Sequence, residues 1–226
     1  MNMKLMLVGL LAVASLVSAQ KVKSQKEAQA VQAVFSASSP DAKIAAVNDL
    51  LSKFKDTEFK TFVLEMAAEA YQQKGDSANA IIFGNRAIEA DPKNIQALLL
   101  VAGQMAQGTK EFDLDKDEKI KKATKLANDA IAAVGTAQKL NPQMTEDQWS
   151  NIKKEMLAQG HETLGMLASV DKKFDVAINE FKTAVDGSPT PEPTTMARLA
   201  ASYINAKRFD EGIAMADKVL AMGNVP

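Results

Sequence analysis

The sequence predicts an all-α fold built from stacked antiparallel helix pairs, and three observations carry that reading. The 226 residues are 46% hydrophobic but only 5% aromatic, with Ala and Met plentiful. Small side chains let helices pack closely, whereas strands favour β-branched and aromatic residues. Apolar residues recur at spacings of three and four, punctuated by Gly, Pro, Asp and Asn. The pattern then repeats at a nearly fixed interval, as stacked hairpins require and a simple bundle does not.

From the N-terminus, residues 1–19 read as a targeting segment. Lys4 gives a positive start, Leu5 to Val17 an apolar stretch, and Val17-Ser18-Ala19 the small-residue form of a cleavage site after Ala19. The apolar run is shorter than the ~20 residues a spanning helix needs. A cleaved signal peptide therefore predicts a periplasmic or secreted protein with no membrane span once processed; the alternative is an uncleaved anchor. Losing Lys4 takes 27 basic side chains to 26, against 28 acidic ones. No single-sign block remains, so nothing points to a nucleic-acid surface. The chain has no Cys, which excludes disulfides and is compatible with export.

Periodicity places helices near 24–36, 41–54, 58–74, 77–90, 94–107, 117–140, 146–170, 173–186, 194–206 and 209–222. Four pairs of these repeat. Leu64, Ala68 and Tyr71 share one face, Gly75-Asp76 breaks the chain, and Ala80 and Ala87 follow before Pro92. A shift of 34 gives Leu98, Ala102 and Met105; the second helix of that pair is displaced by 50, giving Ala130, Val134, Ala137 and Pro142. The third pair reads Leu164, Gly165, Ala168, Phe174, Ala177, Phe181, Ala184 and Pro189. A further 35 gives Leu199, Ala200, Tyr203, Phe209, Gly212, Ala216 and Val219. Small residues at Ala68, Ala102, Gly165, Ala200, Ala80, Ala130, Ala177 and Gly212 allow close helix approach, and each Pro stops a helix.

This pattern of small and large residues, with a Pro near repeat ends, resembles the tetratricopeptide repeat family in its exported bacterial form. The resemblance implies a right-handed superhelical solenoid. It divides the chain into residues 20–60 (a degenerate repeat), 61–94 (repeat 1), 95–144 (repeat 2, with an insertion), 145–191 (repeat 3, with an extended first helix) and 192–226 (repeat 4). The insertion contains Gly108 to Asp115. The extension starts with a capping box, Thr145 and Gln148, and carries the single Trp149, expected to be a packing anchor.

No catalytic constellation is visible. His161, the only His, lacks the second His of a zinc-protease helix. Asp113, Asp115 and Asp117 have calcium-loop spacing, but Glu118 and Thr124 stand where that loop needs Gly and Glu. There is no phosphate-binding Gly loop and no thiol. The expectation is a non-enzymatic protein without cofactor or metal that binds a protein or peptide partner. The resemblance puts ligand contacts on the first helix of each pair: Phe62, Glu65, Glu69 and Gln73; Gln96 and Leu99; Glu162, Met166 and Ser169; Ala197, Ala201 and Asn205. The other reading is a structural subunit of a cell-envelope assembly, held through its ends or convex face. The last helix bears on this. Phe209, Ile213, Ala216 and Leu220 form a stripe expected to face its own partner helix. Met215, Val219 and Met222 form a second, expected to be unpartnered and to dock a homodimer or another protein.

Overall fold

The computed structural model describes residues 22–139 and 141–223, and the targeting segment lies outside them. Ten helices span the described residues: α1 Gln25–Ser36, α2 Pro40–Lys53, α3 Lys60–Gln73, α4 Ser77–Ala90, α5 Ile95–Gly108, α6 Lys116–Val134, α7 Glu146–Val170, α8 Phe174–Gly187, α9 Pro193–Asn205 and α10 Phe209–Ala221. The chain forms two compact units, one of residues up to 100 with 137–146, the other of 101–136 with 147 onward.

In the first unit α1 packs on α2, α2 on α3 and α3 on α4. Helix α1 opens with a reciprocal cap: Ser24 Oγ accepts from the Glu27 amide at 3.1 Å, and Glu27 Oε2 accepts from the Lys23 amide at 2.6 Å. Apolar residues on one face of each helix then meet inside: Val31 and Val34; Val47 and Leu50; Val63, Leu64 and Ala68; Ala80, Phe83 and Ala87. Tyr71 and Phe83 tilt against each other at 5.1 Å. Side chains the size of Leu50 and Leu64, both wholly buried, each contribute roughly 1.5–3 kcal/mol.

Among the described residues, the second unit packs around two centres. Ala106, Ala123 and Leu167 join α5, α6 and α7. Ala168, Ala177, Ile178, Phe181, Leu199 and Tyr203 join α7, α8 and α9, with Met215 of α10 packed against them. Met166 lies against both centres. Gly165 explains how α8 comes so near α7: a Cβ there would sit 2.7 Å from the Phe181 ring. Trp149 is buried near the start of α7, with the Lys153 ammonium 5.8 Å from its ring.

Three hairpin turns share one construction. After α3 the Asp76 amide bonds the Tyr71 carbonyl and the Gly75 amide bonds that of Gln72. After α7 the same two bonds run from Lys173 to Ala168 and from Lys172 to Ser169; after α9, from Arg208 to Tyr203 and from Lys207 to Ile204. These are Schellman closures, which need a left-handed residue. Gly75 supplies it at φ 72°, while Lys172 and Lys207 adopt it at 58° and 61°.

The helix expected over 117–140 stops at Val134. Gly135 and Thr136 are poor helix formers, and the Thr136 amide closes a tight last turn on the Ala133 carbonyl at 3.1 Å. Ala137 is therefore outside any helix, and its expected equivalence to Ala87 fails. The insertion before α6 is a pinned loop. Lys119 bridges Asp113 and Asp115 at 3.0 and 2.8 Å, and Lys172 holds Glu111 at 2.5 Å. Two of the acids with calcium-loop spacing thus share a lysine. No helix among the described residues is long and apolar enough to cross a membrane.

Candidate partner-binding surface

The first-helix residues of the first unit form a polar corner. Glu65 and Glu69, four apart on α3, share a face. Asn94 precedes α5; its Oδ1 is committed to capping, accepting from the Ala97 amide at 2.8 Å, so its amide nitrogen is left to donate to Glu65 Oε2 at 3.0 Å. Burial pushes the Glu65 carboxyl up to about 7, with the charges of Glu69 and Asp91 adding to it and the Asn94 bond opposing. The surrounding protein also raises Glu69, against the pull of Lys43 on α2, and burial lowers Lys43. Glu69 and Gln73 are nevertheless open to solvent. The corner thus combines an accessible carboxylate with one poised to change charge near neutrality, an arrangement that favours an incoming cation.

Other expected contacts fare differently. Phe62 is part-buried and stacks on Phe35 of α1 at 5.4 Å, so packing uses its ring. Gln96 is part-exposed. Leu99 is fully buried and is withdrawn as a surface contact, since α5 is apolar on nearly every side from Ala97 to Ala102. In the second unit Glu162 is paired with Arg198, and Ser169 Oγ donates to the Gly165 carbonyl at 2.9 Å. Met166 is partly buried in the core. Ala197, Ala201 and Asn205 stand exposed, four apart along α9. His161 joins α7 to α8 through a 2.7 Å contact between Nδ1 and Glu180.

The two stripes of α10 are the reverse of the expectation. Val219 is 4% exposed and Met215 packs into the core, so neither is an interface residue; of that stripe only Met222 is exposed. Phe209, Ile213 and Leu220 are 56, 59 and 63% exposed. The cause is Gly212. A Cβ there would lie 2.8 Å from Ile204 and 3.3 Å from the Ala200 carbonyl, so this side of α10 meets α9. Met215 and Val219, three and seven residues on, share it.

Sequence reasoning missed a cleft of about 240 Å³ in the second unit. Ile120 and Thr124 of α6, Leu164 and Asp171 at α7, and Val176 and Glu180 of α8 are among its walls. It is smaller than the roughly 300–1,000 Å³ of ordinary small-molecule sites. Both of its acids are engaged: Asp171 by Lys173 at 2.8 Å and Lys116 at 3.3 Å, and Glu180 by His161 at 2.7 Å. The available signal was the acid–base run Asp171-Lys172-Lys173, which reads equally as a solvated turn.

Comparison with known proteins agrees with this architecture. Residues 63–94 match the tetratricopeptide repeat family model. No curated protein matches the chain. Among solved structures, MamA (residues 41 to the end) from Desulfovibrio magneticus RS-1 is similar at 14% identity and TM-score 0.65, over 89% of this chain and 97% of that one. A further MamA crystal structure is similar at 15% identity and TM-score 0.57, over 80% and 81%. A thermophilic tetratricopeptide protein of Thermus thermophilus is similar at 18% identity and TM-score 0.54, over 80% and 82%. The chain has the all-α tetratricopeptide-type fold of paired neighbouring helices, and its residues 63–94 carry that family's repeat in sequence as well.

Proposed function

We propose that this chain is an exported, non-catalytic scaffold that holds a protein or peptide segment against the first helices of its pairs. The fold is one used for protein interaction, and the observation that carries the reading is the α3 corner. There Glu69 and Gln73 are open beside a Glu65 whose carboxyl is held near 7. A basic partner side chain would draw Glu65 to its charged form, so binding strengthens as pH rises through 7 and weakens with salt. The test is crosslinking of the tagged protein in its native cells, compared with Glu69→Lys combined with Gln73→Lys. Loss of the crosslinked species, with helicity unchanged, is expected. The same species recovered at the same yield would overturn this site.

Export rests on Lys4, the Leu5 to Val17 stretch and Val17-Ser18-Ala19. The intact mass of protein recovered from the cell envelope or medium is expected to begin at Gln20; a full-length mass would favour the uncleaved anchor. The second reading, a structural subunit held through its ends, is favoured by the exposed apolar edge of α10.

A further inference from the structure

Helix α10 is amphipathic twice over. One side meets α9 through Gly212, Met215 and Val219. The other exposes Phe209, Ile213 and Leu220, and Ile204 of α9, 46% exposed, extends this strip beside Gly212. With Ala216, the α10 residues are spaced four, three and four apart, the seam that a helix partner fills.

The molecule already shows what fills such a seam. The 35-residue repeat carries Ile213 onto Ile178 and Leu220 onto Val185. Ile178 is 2% exposed in the cluster that contains Leu199 and Tyr203 of α9, and Val185 is partly buried against that cluster. The seat on α8 is therefore covered by the next first helix, with apolar residues three and four apart at Met196, Leu199 and Tyr203. Charge follows the same correspondence. Arg208, three residues past the end of α9, is held first by Glu211 at 2.7 Å and also feels the more distant charge of Asp175, the counterpart of Asp210. Asp210 and Asp217 are both exposed on α10.

We infer that Phe209, Ile213, Leu220 and Ile204 form a seat for an amphipathic helix of another protein. That helix carries apolar residues at i, i+3 and i+7, with a basic residue just beyond its C-terminal end. A second copy of this chain fits less well. Its α1 presents Lys26, Gln29 and Gln32 outward, with Val31 and Val34 turned in. Two α10 faces meeting antiparallel would line Asp210 and Asp217 of both copies along shared edges, which is repulsive.

The probe is a fluorescent, helix-stapled peptide of residues 192–208, the segment that fills the α8 seat, titrated by anisotropy against the whole protein. Saturable binding is expected, with a scrambled peptide silent. Ile213→Glu, at an exposed position, should weaken binding about tenfold or more. Asp210→Lys should weaken it and reduce its salt dependence. No saturable binding, or binding unchanged in Ile213→Glu, overturns the seat, the latter because the peptide would then be displacing α9 from α8. Sedimentation equilibrium is expected to show a monomer. A dimer that Ile213→Glu dissociates overturns the partner assignment in favour of a second copy. None of these readouts involves Glu69 or Gln73, so this seat and the α3 corner stand or fall separately.

Discussion

Gly165→Val is expected to destabilise the second unit by about 1–3 kcal/mol, as overpacking a closed core does. A Cβ at Gly165 already falls 2.7, 2.8 and 2.9 Å from three Phe181 ring atoms, below any real contact. Phe181 is 1% exposed among Ala168, Ala177, Ile178, Leu199 and Tyr203, so its ring has nowhere to retreat. Gly212 is the control. A Cβ there meets Ile204 Cγ1 at 2.8 Å, but Ile204 is 46% exposed and its end can swing outward. Gly212→Ala is therefore expected to cost clearly less than Gly165→Ala. Phe181→Leu makes room beside Gly165, so Gly165→Val added to it should cost less than the sum of the two changes, a coupling of about 0.5–3 kcal/mol in a double-mutant cycle. Chemical denaturation followed by Trp149, which is buried in the same unit, measures every variant. Equal costs for the two Gly→Ala changes, or strict additivity in the cycle, would show that the close approach at Gly165 is not what limits packing.

Much of this fold was legible because helix signals here are local. The spacing of apolar residues, together with punctuation such as Gly75-Asp76, places nearly every helix end within two residues of the structure. The small residues that set helix approach were legible too, since Gly165 and Gly212 stand where a Cβ would collide. Lys172 and Lys207 were not read as left-handed residues, because nothing in a Lys signals positive φ; only the shared hydrogen bonds reveal that they take the part of Gly75. The inward side of α10 was misread because both stripes have helical spacing. The deciding fact is that Gly212 shares a face with Met215 and Val219, not with Ile213 and Leu220. Leu99 was misplaced for a related reason: on a helix apolar all round, repeat position alone does not separate groove from core. The α3 corner was half legible. Glu65 and Glu69 were named through the family resemblance, but the amide of Asn94 and the charge of Lys43 come from elsewhere in the chain and needed the fold.

Glu65→Gln is expected to stabilise the protein at pH 8 and to flatten its dependence on pH. The Glu65 carboxyl rises from 4.5 to about 7 on folding, so between those values the folded chain binds more protons than the unfolded one. Stability linked to this group is then fully present below about 4.5 and is lost as pH rises through 7. At about 1.4 kcal/mol per pH unit the loss is on the order of 3 kcal/mol at most. Gln keeps an oxygen to accept from the Asn94 amide and carries no charge to desolvate, so it removes the cost without removing the bond. Glu69 is raised as well and adds in the same direction. The acids held low by hydrogen bonds, Asp76, Asp113, Asp171 and Glu211, act oppositely and only under more acid conditions, so they leave this window clear. Amide exchange in α3 and α4, compared at pH 5.5 and 8 after correction for intrinsic rates, reads the effect in the first unit. Protection there is expected to fall with pH in the parent protein and to hold in Glu65→Gln. If Glu65→Gln loses protection at both pH values, the carboxylate is instead a stabilising partner of Asn94, and the corner would present a fixed negative charge to its ligand rather than one that answers to pH.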